Sequence, residues 1–202
     1  MATYVLRVWI PDRPGALGAV ATRIGAVRAD VIGIDIIERG AGRAVDDLVI
    51  ELPDGESVDL LLAEIAQVGG VDVEDIRELD GPPSDPAIEA LQVAGAIQRC
   101  DSSSAALATL VHGARSLIGA DWAVVVDLEV DGMIAPSGEG VPSEKWLCAF
   151  IAGVTTSGTT SDHDELAVTA LPDPNLKLLV SRGRLPIRAR ERAVLEALCA
   201  LL

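Results

Sequence analysis

The 202-residue chain is 50% hydrophobic, 23% charged and 2% aromatic, with a formal charge of −15 at pH 7. This is ample core for a folded protein and excludes a disordered, collagen-like or coiled-coil state. Residues 1–80 carry net −9 and residues 81–202 net −6, and Tyr4, Trp9, Trp122, Trp146 and Phe150 are the whole aromatic set. Nucleic acid is therefore a poor partner, because its binding rests on basic charge and base stacking. The length suits two domains. Cys100, Cys148 and Cys199 have no zinc-site or redox-pair spacing and read as buried thiols of a reducing compartment. The amino terminus lacks a secretory pattern, and no run approaches the roughly 20 apolar residues of a membrane span, so a soluble cytoplasmic protein without membrane contact is expected. Fourteen arginines against two lysines, with abundant alanine, suggest a GC-rich bacterial genome.

Tyr4–Ile10 is β-branched and aromatic and reads as a strand ended by Pro11. Leu17, Val20, Ala21, Ile24 and Val27 then recur at helical spacing. Two strands, Asp30–Glu38 and Ala44–Leu52, flank Arg39-Gly40-Ala41-Gly42-Arg43, whose glycines suit a hairpin. After the turn Pro53-Asp54-Gly55, residues Val58, Leu61, Leu62, Ile65 and Val68 mark a second helix stopped by Gly69-Gly70, and Val71–Leu79 closes the unit as a strand. The order is βαββαβ, the split βαβ sandwich with two helices on one face of a four-stranded antiparallel sheet.

Gly81-Pro82-Pro83-Ser84-Asp85-Pro86 breaks the chain, and residues 81–102 read as a linker with a connecting helix, Ile88–Gln98. Asp101-Ser102-Ser103-Ser104 offers caps for a helix striped by Leu107, Leu110, Val111, Ala114, Leu117 and Ile118. Trp122–Asp127 reads as a buried strand, and Trp146–Val154 fits helix or strand. Thr155–Glu165 reads as a surface loop. Leu166–Leu171 and Lys177–Arg182 read as strands, and Ala189–Leu202 as a closing helix.

The segment Asp12-Arg13-Pro14-Gly15-Ala16-Leu17 joins the first strand to the first helix. Pro14 suits a helix start, Gly15 lets a ligand approach the backbone, and amides near Gly15, Ala16 and Leu17 lie at the positive end of the helix dipole. A carboxylate fits there, and Asp12 offers an acceptor for an ammonium group, which together match an α-amino acid. The alternative is a plain strand-to-helix turn capped by Asp12.

Asp-Arg-Pro-Gly followed by leucine, after the first strand of a βαββαβ unit, resembles the signature of the ACT domain. The resemblance covers about residues 3–79 and includes the strands with Val31-Ile32-Gly33-Ile34 and Asp46-Asp47-Leu48-Val49-Ile50. It implies a ferredoxin-like regulatory module that binds an amino acid at the interface between copies, hence a homodimer. By position, Asp12, Arg13, Pro14, Gly15, Ala16 and Leu17 would form one wall, and Asp30, Val31, Ile32, Gly33 and Ile34 the other. Asp30 falls where many members have asparagine, and some members serve only as assembly surfaces. Residues 103–202 resemble a GAF domain in the helix leading into Trp122–Asp127, the late strand pair and the arginine-rich entry to the last helix. Neither the chromophore-attaching cysteine context nor the cyclic-nucleotide motif of that family is present.

The expected fold class is therefore α+β, a ferredoxin-like βαββαβ ACT domain at 1–80 plus a GAF-like α/β sandwich at 103–202. Among other residues, His112 lies off its helix stripe and reads as a surface side chain, while His163 in Ser161–Glu165 has metal-ligand company without regular spacing and reads as part of a solvated acidic loop. Ser102–Ser104 read as caps, and Arg182, Arg184, Arg188, Arg190 and Arg192 as solvated arginines near a helix start. The function expected is a non-enzymatic, cofactor-free amino-acid sensor that changes its association with itself or a protein partner. An allosterically regulated enzyme with its active site in the second domain, and a ligand-free dimerisation scaffold, are the alternatives.

Overall fold

The computed structural model describes residues 1–157 and 165–202 and divides into two compact units, Met1–Pro83 and Ser84–Leu202. No helix among the described residues is long and apolar enough to cross a membrane.

The first unit has the order β1 (Ala2–Pro11), α1 (Ala16–Ala26), β2 (Asp30–Gly40), β3 (Arg43–Leu52), α2 (Val58–Ile65) and β4 (Asp72–Glu78). The four strands form one antiparallel sheet in the order β2-β3-β1-β4. Alternation sends Leu6, Val8 and Ile10 of β1 and Leu48, Ile50 and Leu52 of β3 to the same face. There they pack with Val20 and Ile24 of α1 and Leu61 and Ile65 of α2. The β2–β3 turn is Ala41-Gly42, both with positive φ (50° and 75°), the geometry that matches strand twist in a two-residue hairpin.

On the opposite face, Arg7 and Asp47 form a two-pronged ion pair at 2.7 and 2.8 Å. Bidentate geometry and low exposure favour such a pair over the exposed kind. Arg43 stacks over Trp9 at 5.1 Å and reaches Asp72 at 2.6 Å, which ties the β3 start to β4 across the end of β1.

The second unit runs α3 (Pro86–Gln98), α4 (Ser103–Leu117), β5 (Trp122–Asp127), β6 (Gly132–Gly138), α5 (Glu144–Ser157), β7 (Leu166–Ala170), β8 (Leu176–Ser181) and α6 (Ala189–Cys199). Its strands form an antiparallel sheet in the order β6-β5-β8-β7. Ala123 and Val125 pack toward Leu110, Val111 and Leu195, whereas Val124 and Val126 pack with Leu147 and Ile151 of α5. The sheet is thus covered on both faces, which explains the unbroken apolar run of β5. The unit is an α/β sandwich.

Three local findings refine the sequence reading. Trp146–Val154 is helical, and α5 continues through Ser157, with the Thr155 hydroxyl donating to the Ile151 carbonyl at 2.8 Å. The rest of the expected loop, residues 158–164 with His163, lies outside the described residues. Strand β6 had no sequence signal because it contains Pro136 and two terminal glycines, tolerated at this edge of the sheet.

Arg182 is the third. It is buried rather than solvated, with 7% exposure. Its guanidinium donates to Ile118 O at 2.6 Å, Leu185 O at 3.1 Å, Pro186 O, and both carboxylate oxygens of Glu191 at 2.7 and 2.9 Å. A planar five-donor group joins the end of α4 and the loop before α6, which a lysine could not do.

Candidate functional site

The end of β1 hands the chain to α1 through a tight turn. Asp12 donates its amide to Gly42 O at 2.9 Å, and the Arg13 amide reaches Pro11 O at 2.8 Å. Gly15 is the N-cap of α1 at φ 84°, and a Cβ there would meet nothing within 4 Å. Glycine is therefore required here by conformation rather than by crowding. Pro14 lies before the N-cap, in the turn, and not in the first helical position.

Of the amides that the sequence points to, the one at Ala16 is not open. The Ala16 amide is used by the turn, donating to Arg13 O at 3.3 Å, and the ladder begins with Ala19 donating to Gly15 O at 3.0 Å. Leu17 and Gly18 are left as open first-turn donors, and no side chain caps the helix. Asp12 does not cap it. Instead its Oδ1 faces Arg39 Nη2 at 3.8 Å, from the last turn of β2 before the hairpin. Asp12, Arg13, Pro14 and Gly15 are exposed, Leu17 is half-buried, and Ala16 is buried against the core. The loop thus presents two donors with the helix dipole behind them, a favourable place for a carboxylate.

The second expected wall lies elsewhere in the same chain. Asp30 pairs with Glu51, which pairs with Thr3, whereas Gly40 pairs with Arg43, which pairs with Pro11. At a strand rise of about 3.4 Å, the eight residues from Glu51 to Arg43 separate these levels by about 27 Å. Asp30 is consequently at the opposite end of the sheet from Asp12–Leu17, and Ile34, level with Leu48, is still about 17 Å short of it, so the two segments are not brought together within a chain. β2 is an edge strand, and Ile32, Ile34 and Ile36 are 42%, 48% and 43% exposed along it.

What does join Asp12 is Arg39 and Asp46. Asp46 lies in register with Val8 and Ile36, on the face of the sheet that carries Ile10 and Leu48, and is only 5% exposed. Burial pushes its carboxyl above the usual 3.8; the Arg39 charge opposes this, and Asp47 and Asp12 add to it. Its Oδ1 is buried without a hydrogen-bond donor. The sequence carried a signal for this residue: in Ala44-Val45-Asp46-Asp47-Leu48 an acid interrupts the inward row of alternating apolar positions.

The remaining candidates have structural settings. Ser102 caps α4 by accepting from Ala105 N at 3.2 Å. His112 is exposed on the rim of a shallow groove of about 400 Å³ between Val93 and Ala96 of α3 and Ala108 of α4. Cys100 and Cys148 are half-buried and Cys199 is buried. Burial, then the charge of Glu196, pushes the Cys199 thiol up to about 12, and burial with Asp131 and Glu144 raises Cys148. Neither is an activated nucleophile. Among the described residues, no three His, Cys, Asp or Glu side chains gather to hold a metal ion.

No curated protein sequence matches this chain. Among solved structures it is similar to a formyltetrahydrofolate deformylase from Pseudomonas putida KT2440, at 18% identity and TM-score 0.34, over 44% of this chain and 36% of that one. The chain therefore spans little more than a third of that protein. It is also similar to an unknown protein from Galdieria sulphuraria, at 14% identity and TM-score 0.34, over 89% of this chain and 78% of that one. The ACT domain family model matches residues 4–70, the stretch from β1 to the turn before β4. An ACT domain thus forms most of the first unit.

Proposed function

We propose that this protein is a regulatory amino-acid sensor that acts by binding rather than catalysis. An ACT domain is a regulatory small-ligand-binding module, and the observation that carries the reading is the uncapped start of α1, with the Leu17 and Gly18 amides open beside the left-handed Gly15. The ligand carboxylate rests on those amides. A homodimer completes the site: antiparallel pairing of two β2 edges about a two-fold axis sets the start of one β2 beside the end of the other. Asp30–Ile34 of a second copy then reaches the Asp12–Leu17 loop, whose level on the sheet is about 27 Å from Asp30 and about 17 Å from Ile34 of its own chain. The exposed isoleucines of β2 support this edge as the contact.

Ligand that bridges two copies favours the associated state by its differential affinity, and the second unit, which we read as a degenerate GAF-like scaffold, passes that change to itself or to a protein partner in the bacterial cytoplasm. The test is a thermal-shift screen of the full chain against the twenty standard L-amino acids, with light scattering of the same samples. A folded-state ligand raises the midpoint by mass action. A rise with one or a few amino acids at sub-millimolar concentration, in a dimer, is expected. No shift with any of them, or a monomer at micromolar concentration with and without them, refutes the reading, and turnover of the bound compound would make it an enzyme.

A further inference from the structure

We propose that Asp46 is the acceptor for the ammonium group of the bound amino acid, the cationic counterpart of the carboxylate site at the start of α1. This assignment rests on the amino-acid-binding reading above.

The helix-facing row of β3 reads Ala44, Asp46, Leu48, Ile50, Leu52, four apolar residues and one acid. Its neighbours across the sheet are Val8 on β1 and Ile36 on β2, also apolar. A carboxylate in such a row costs free energy unless it is paired and hydrogen-bonded, yet Asp46 Oδ1 receives no donor from the protein. The nearby cation, Arg39, is 60% exposed at its side chain and faces Asp12 at 3.8 Å. A donor arriving from outside the chain is what the buried oxygen lacks.

The place it would arrive from is the α1 start. Alternation puts Val8, Ile10 and, beyond the strand end, Asp12 on the same side as Asp46, and Ala16 at the first turn of α1 packs in the same apolar cluster as Ile10 and Leu48. Open amides and a buried carboxylate with one oxygen lacking a donor therefore share one end of one sheet face. Opposite polarities side by side suit a zwitterion. A primary ammonium is compact and carries three donors, so it can serve Asp46 Oδ1 and still meet Asp12 or water. The two acids divide the work by burial: Asp46, shielded, fixes the ammonium, while Asp12, solvated and paired with Arg39, contributes less.

The experiment compares wild type with Asp46→Asn and Asp46→Leu in three ligand conditions: none, each of the twenty L-amino acids, and the corresponding deaminated carboxylic acids. Without ligand, both variants unfold at a higher temperature than wild type, because a buried charge with one oxygen lacking a donor has gone. For every amino acid that stabilises wild type, Asp46→Asn weakens binding by about ten- to a hundredfold, the loss of one charge-assisted hydrogen bond. The deaminated acids, weak ligands of wild type, bind Asp46→Asn as they bind wild type. Equal amino-acid affinity of wild type and Asp46→Asn overturns the assignment while leaving the sensor intact. So does a lower unfolding temperature of the ligand-free Asp46→Asn protein, which would mean that the carboxylate is already satisfied. Absence of binding by wild type removes the sensor reading itself and this assignment with it.

Discussion

Substituting Gly15 with aspartate, and separately with asparagine, isolates the charge of a bound carboxylate from the conformation of the loop. Gly15 has φ 84°, and a Cβ there meets nothing within 4 Å, so both variants carry backbone strain without a clash at Cβ. Each carries the same backbone cost, about 1 kcal/mol, since asparagine and aspartate enter the left-handed region more readily than other residues. Their side chains differ only in charge. A carboxylate about 5 Å from a ligand carboxylate, at an effective dielectric of about 20, is repelled by about 3 kcal/mol, and solvent screening at this exposed loop reduces that to about half. Gly15→Asp should therefore bind any amino acid that stabilises wild type about tenfold more weakly than Gly15→Asn does, with equal unfolding temperatures. Calorimetric titration beside thermal unfolding by circular dichroism measures both. Equal affinity in the two folded variants would remove the carboxylate from the start of α1.

Three further outcomes are expected. Arg182→Met, which takes the guanidinium from the half-buried Glu191 carboxylate and from three carbonyls while the Arg188 amide still donates to Glu191, should cost about 3 kcal/mol in denaturant unfolding, and Arg182→Met with Glu191→Met should recover part of it. Gly113→Ala should destabilise the protein despite the better helix propensity of alanine, because the new Cβ would lie 2.4 Å from Val93 Cγ1; adding Val93→Ala should restore stability. The gain from Asp46→Asn should be largest at neutral pH and should shrink as pH falls toward 3.8, measured as the difference in unfolding free energy. A carboxyl whose folded pKa is raised keeps its proton longer in the folded state than in the unfolded, so its penalty is complete above the folded pKa and absent below the unfolded one.

The helix and strand order of the first unit was legible because each element there obeys a local rule. Val20 and Ile24 keep the helical period, Leu6, Val8 and Ile10 keep the strand period, and Ala41-Gly42 supplies the hairpin. Strand β6 was not legible, since an edge strand with Pro136 needs no apolar alternation. The candidate site divided in the same way. Asp12–Leu17 shows itself as a motif contiguous in sequence. Arg39 and Asp46 approach Asp12 only through the register of three strands, and register is a non-local quantity that one-residue slips would invert. Arg182 was misjudged for a related reason: its partners, Ile118 and Glu191, are 64 and 9 residues away, so its neighbouring arginines said nothing about its surroundings.

On the dimer proposed above, the parallel run of β1 and β2, with β3 between them, would give each chain two unlike half-sites toward opposite poles of one sheet. For a ligand held between such poles, damage is complementary rather than cumulative. A chain altered at Gly15 and a chain altered at Asp30 would each be blind as a homodimer, yet mixed together they would form a pair with one pocket wholly wild type and the other doubly broken. Binding capacity would reappear at one ligand per two chains of the mixed pair. Dilution would act like a competitor, because every pocket would vanish when the pair dissociates.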